Sequence, residues 1–191
     1  MRPAESSTTC DRNASGADNG GFYDTRDDHE KLIRRPKDVQ DNAIPSGSAM
    51  ATHVLLKLGF LTGDTAYWDT AKQATRSVGK LMAQYPSGSG EWLNATSLIM
   101  GESREIALVG YKEQVAPLLG VVRTGYRPLQ VVAAGAETVD GTVALLANRP
   151  QVSDSGTAYV CRRFVYETPV TDPQKLAAQL KERACSRMFA S

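Results

Sequence analysis

The densest concentration of groups able to do chemistry lies in residues 24–41. Eleven of these eighteen residues are charged: six acids (Asp24, Asp27, Asp28, Glu30, Asp38, Asp41) and five bases (Arg26, Lys31, Arg34, Arg35, Lys37). His29 stands between Asp28 and Glu30, and Asn42 and Ser46 follow closely. Carboxylates beside a histidine serve general acid–base catalysis when they converge in one pocket. The competing reading is a solvated loop whose charges pair with one another. Position favours a site, because the run ends in Pro45-Ser46-Gly47, where a helix start offers free backbone N–H groups to an anion or a sugar hydroxyl. On that reading Asp24, Asp28, His29, Glu30 and Asp41 are the candidate acids and bases. Arg35, Lys37, Asn42 and Ser46 would orient a substrate or stabilise developing negative charge. Trp92, beside a turn, is a candidate stacking surface for a sugar ring, although a tryptophan there also serves as core.

Weaker signals lie elsewhere. Trp68, next to Tyr67, reads as packing, and His53, beside Val54 and one turn after Met50, as a satisfied, partly buried histidine. Gly110 closes an apolar run as a phosphate loop would, but no GxGxxG follows. Cys161 reads as a buried thiol. The chain holds three cysteines, no CxxC and two distant histidines, so no zinc pattern, metal or cofactor is expected.

These groups must be held by regular elements. Pro36 interrupts any helix within the charged stretch, and residues 1–19 are polar and without period, which predicts a disordered leader. Ser46 or Ser48 caps a first helix with apolar positions Met50, Val54, Leu58 and Leu61. Gly63 ends it and Asp64 caps a second, whose stripe is Tyr67, Ala71, Ala74, Val78, Leu81 and Tyr85. A glycine- and serine-rich turn at 86–90 precedes a third helix over 91–100. After Gly101 the period changes. Residues 106–110 and 129–133 read as buried strands flanking a helix over 114–122, and 143–146 and 158–160 as further strands. Thr171-Asp172-Pro173-Gln174 starts a last helix. The fold class expected is mainly α with a small α/β part.

Composition narrows the partners. The chain has 191 residues with 22 basic and 21 acidic side chains, a net charge of +1. That balance offers no electrostatic case for nucleic acid or an anionic membrane. No apolar run approaches the ~20 residues that cross a bilayer. The first twenty residues lack an apolar core, so a cytoplasmic chain with free thiols is expected.

Several phrases resemble one known family: GGFYDT, RPKDVQDNAIPSGSAMA, TGDTAYWDTA, EWLNA, REIALVG, YRPLQVVAA and TAYVCRRFVYETPVTDPQKLAAQL. They look like the carboxy-terminal part of thioredoxin-domain-containing proteins, which include spermatogenesis-associated members. The resemblance covers residues 20–180, and D-N-A-x-P-S-G is its most specific stretch. It implies an amino-terminal thioredoxin-like domain joined to an (α/α)6 barrel similar to six-hairpin glycosidases and N-acylglucosamine 2-epimerases. Relatives often carry F-x-C after Tyr-Val-Cys, whereas Phe164-Val165-Tyr166 stands here, so no paired thiol is implied. Residues 20–103 would be a terminal portion of that barrel and 104–191 an α/β tail, a fragment inactive alone. The expected ligand is a carbohydrate-like small molecule. A non-enzymatic reading makes the hairpins an interaction or redox-associated scaffold module, with self-association through exposed barrel surface.

Overall fold

The computed structural model describes residue 22 and residues 38–136, 143–162 and 165–181. The expected leader and the residues between Phe22 and Asp38 lie outside these. The described residues form two compact units, one drawn from 1–59 and 64–101, the other from 60–63 and 102–191.

The first unit is helical. Helix α1 (Gly47–Thr62) begins where the Ser46 hydroxyl accepts the N–H of Ala49 at 3.3 Å. Of the two serines, Ser46 is therefore the cap. Ser48 instead donates to the carbonyl of Phe22 at 3.1 Å. The buried face of α1 is Ala49, Thr52, Leu55, Leu56 and Phe60, which corrects the expected stripe: Met50 and Val54 are 44% and 49% exposed. The helix is apolar almost all round, so spacing alone does not choose a face. Thr52 can be interior because its hydroxyl donates to the Ser48 carbonyl at 2.9 Å.

Gly63, at φ 72°, ends α1, and Asp64 caps helix α2 (Thr65–Ser77) by accepting from Ala66 N–H at 2.9 Å. The Trp68 ring lies against Gly59, where any Cβ would come within 2.2 Å of it. The single second helix expected to Tyr85 breaks at Val78 (φ −102°, ψ 5°) and resumes as α3 (Gly79–Gln84). β-Branched Val78 and Gly79 are poor helix formers, and Ser77 bonds back to Ala74. A short turn at Pro86–Gly88 leads to α4 (Gly90–Met100), which buries Trp92, Ala95 and Leu98.

The second unit is a sheet with helices on one face. Strand β1 (Arg104–Val109) is followed by helix α5 (Lys112–Arg123) and strand β2 (Gln130–Gly135), which pairs parallel to β1. Strand β3 (Thr157–Arg162) runs antiparallel to β1, two-residue β4 (Val165–Tyr166) pairs with β3, and helix α6 (Pro173–Lys181) follows. The strand order is β2-β1-β3-β4. Residues 143–146, expected as a strand, form turns, with Leu146 N–H to Val143 O at 2.9 Å. Their apolar side chains are wanted all the same: Leu145 and Leu146 pack with Ala107, Val109, Ala133 and Tyr159. The opposite face meets α5 and α6 through Ile106, Leu108, Val160, Leu118 and Leu176. Asp172, rather than Thr171, caps α6, accepting from Gln174 N–H at 2.7 Å.

Arg104 and Arg162 stand directly opposite each other across β1 and β3. Like charges so placed repel. Each donates to a carbonyl at the end of α6, Arg104 to Leu180 at 2.7 Å and Arg162 to Gln179 at 2.9 Å, where the helix end is negative. Burial, then the neighbouring Arg162 and Arg127, holds the Arg104 pKa below its usual value.

Two stability predictions follow from this unit. A Cβ at Gly156 would lie 2.3 Å from the Gln114 carbonyl oxygen, a backbone atom that cannot swing away. Gly156→Ala should lower the unfolding free energy by roughly 1–3 kcal/mol in a urea titration. Glu105 is buried on β1, and burial raises its pKa, an effect only partly offset by Arg149. Between 4.5 and that raised value the native state holds a proton that the unfolded chain has lost. Stability from this group therefore falls as pH rises through that window. Urea midpoints measured across it should show the fall, and Glu105→Gln should flatten it.

Candidate functional site

Two elements of the first unit are knitted together by one short segment. Residues 39–41 lie beside residues 88–92. The Asp41 N–H donates to the Gly88 carbonyl at 2.9 Å, and the Trp92 ring N–H donates to the Val39 carbonyl at 2.8 Å. The Asp41 carboxylate accepts from two helix starts at once: Oδ1 from Ser46 N–H at 2.8 Å, Oδ2 from Glu91 N–H at 2.8 Å. The first turn of a helix has no intrahelical partner for its N–H groups, and a carboxylate there also meets the positive end of the helix dipole. Asp41 does this for the entry to α1 and for α4 simultaneously.

That clamp sits beside a histidine–carboxylate pair. His53, on the second turn of α1, is hydrogen-bonded through Nδ1 to Oε1 of Glu91, in the first turn of α4. The other Glu91 oxygen accepts from the Asn94 amide at 3.0 Å. Both side chains are largely buried, at 18% and 13% exposure. Among the described residues, His53 Nε2 is buried and has no hydrogen-bond partner. Leaving such an atom unsatisfied costs about 1–3 kcal/mol.

The sequence-derived residues fall as follows. Asp24, Asp28, His29, Glu30, Arg35 and Lys37 lie outside the described residues. Asp41 and Ser46 are joined by a hydrogen bond, but both Asp41 oxygens are taken by backbone donors, so its place is that of a clamp. Asn42 is exposed, and its backbone N–H turns onto the Ile44 carbonyl at 3.1 Å. Trp92 has no exposed surface, so the expectation of a ring open for stacking gives way to a buried anchor. The pair that spacing missed is His53–Glu91. The two residues are 38 apart in sequence, and neither carried a local motif. The only available signal was that both fall near helix starts that one acid can reach. Gly110, at φ 146°, is explained by packing: a Cβ there would lie 3.2 Å from Gly156 Cα. Cys161 is a buried free thiol, as expected, with an Arg149 N–H 3.2 Å from its sulfur. Among the described residues no group of His, Cys, Asp and Glu is placed to hold a metal ion, and no helix is long and apolar enough to cross a membrane.

The chain is similar to Spermatogenesis-associated protein 20 of Homo sapiens, at 26% identity over 151 residues, which are 76% of this chain and 19% of that protein. The protein of the same name from Rattus norvegicus is 27% identical over 157 residues, 79% of this chain and 20% of its own length. This chain thus spans about a fifth of the length of the curated relatives it matches. No protein-family model matches it.

Trp92→Phe keeps most of the buried ring and removes only the N–H that meets the Val39 carbonyl. It should cost about 1–3 kcal/mol of stability, read as a lower thermal midpoint, because a part-buried carbonyl is left unpaired. An unchanged midpoint would remove Trp92 from the knot.

Proposed function

We propose that this chain supplies the helical part (20–103) and α/β tail (104–191) of a thioredoxin-domain-containing protein whose helical barrel acts on carbohydrate by proton transfer. The reaction would be of the epimerase or glycosidase type, in a cytoplasmic setting. The observation that carries this reading is the His53 ring, with Nδ1 on a carboxylate and Nε2 without a partner. A carboxylate facing Nδ1 favours the tautomer protonated there, which leaves the Nε2 lone pair as a base. When Nε2 takes a proton from a sugar carbon next to a carbonyl, Glu91 stabilises the imidazolium that forms, as orienting carboxylates do in catalytic triads. The acids and bases of residues 24–37 are the proposed partners in that work. The similarity to Spermatogenesis-associated protein 20 supports the wider assignment, and because this chain matches about a fifth of it, the chain alone is expected to bind without turning over.

The test is a panel of free sugars and glycosides added to the 15N-labelled 191-residue chain. Millimolar sugars of one class should move the His53 ring signals, and no net conversion should occur. If no sugar in the panel moves them, the carbohydrate reading falls.

A second reading, an interaction module, is favoured by a different observation: Ile44, Met50 and Val54, close together in sequence, are 76%, 44% and 49% exposed. Exposed apolar side chains mark contact surfaces where they adjoin. The chain should then self-associate with rising concentration in size-exclusion chromatography, and the double variant Met50→Lys, Val54→Lys should run as a monomer. A wild-type chain that stays monomeric at high concentration excludes it.

A further inference from the structure

We infer that Asp41 is the positioning residue of the His53–Glu91 pair: its single carboxylate sets the pair's geometry by holding the starts of both helices that carry it. The inference rests on the proton-transfer reading for its functional meaning, but its structural content stands by itself. The two bonds are of equal length, 2.8 Å to Ser46 N–H and 2.8 Å to Glu91 N–H. Ser46 is the cap of α1, so the first bond fixes where that helix starts, and His53 lies seven residues further on, two turns along it. The second bond ends on the backbone of Glu91 itself. One rigid three-atom group therefore ties the backbone of one partner to the helix start of the other.

The geometry assigns distinct parts to the two oxygens. A carboxylate can accept at both, whereas an amide of the same shape accepts at one and donates at the other. Asp41→Asn would turn an N–H₂ towards one of the two backbone N–H groups, and one helix start would be released. Asp41 makes no hydrogen bond to either side chain of the pair, so it is not a proton carrier. It acts through the main chain. Shape is supplied nearby by Gly88, where a Cβ would approach the Gln40 amide to 3.1 Å.

The readout is the His53 ring N–H proton in the 15N-labelled chain, measured with far-UV circular dichroism on each sample. In wild type this proton should be resolved and slow to exchange, and Glu91→Ala, which removes the acceptor and keeps the backbone N–H, gives the reference for a broken pair. Asp41→Asn should keep wild-type helix content, yet exchange the proton roughly ten-fold faster, as expected for one lost charge-assisted bond. Asp38→Asn, which changes an acid three residues earlier, should leave it as in wild type. Should Asp41→Asn fail to fold, Ser46→Pro cuts the α1 half of the clamp by deleting the donor N–H, and the same acceleration is expected relative to Ser46→Ala, which removes only the capping hydroxyl. A folded Asp41→Asn or Ser46→Pro chain whose His53 proton exchanges at the wild-type rate overturns the inference. No sugar is present, so a chain that binds none would end the carbohydrate reading and leave this result intact.

Discussion

The first unit depends on one carboxylate doing two things. Helix starts are costly to bury because their N–H groups have no partner within the helix, and two of them close together double that cost and add mutual dipole repulsion. A single anion placed between them answers both problems. Asp41 is that anion. The arrangement explains why the polypeptide before α1 runs alongside the turn before α4. It also explains why Trp92, one residue beyond the clamped N–H, can be fully interior, its ring nitrogen met by the Val39 carbonyl. Polar satisfaction and apolar burial are here two results of the same close approach.

The second unit solves a charge problem in the opposite sense. Two arginines face each other across neighbouring strands, which by itself is unfavourable. The carbonyl end of α6 supplies the negative potential that makes the pair tolerable, with Glu167 3.0 Å from Arg162 adding to it. On the other face of the sheet Glu105 stands in register with Cys161, and Arg149 is shared between the carboxylate's field and the thiol. In both units, then, ionic groups settle where backbone dipoles or a lone partner meet them. The strongly apolar strands can therefore carry charge at their ends.

Elements whose signal is local were readable in sequence. Gly63 and Asp64 mark a stop and a start because φ above zero and an acceptor side chain are needed at those places. The strand–helix–strand order after Gly101 was visible because the apolar period changes there. What spacing could not give was the choice among apolar residues: α1 offers several faces, and tertiary contacts selected Leu55, Leu56 and Phe60 over Met50 and Val54. The apolar run at Leu145 and Leu146 suggests a strand, yet the two residues are buried from turns, since burial and strand geometry are separate demands. The candidate site was half legible. Asp41 and Ser46 stood out as polar groups at a helix start, but their role needed Glu91, 50 residues from Asp41. His53 looked inert because its partner lies on another helix.

The stretch D-N-A-x-P-S-G can be read residue by residue as a piece of construction. Asp41 supplies two acceptors, and Asn42 turns the chain back onto Ile44. Pro45 has no N–H, so the first donor after the turn is that of Ser46, which meets Asp41. The Ser46 hydroxyl then caps α1, and Gly47 opens the helix. Asp, Pro and Ser thus have assignments that need no substrate. A resemblance concentrated in these residues therefore speaks first of a joint between helices. The proposed proton transfer rests on what the joint holds in place: a histidine ring with one nitrogen held by a carboxylate and the other, among the described residues, without a partner.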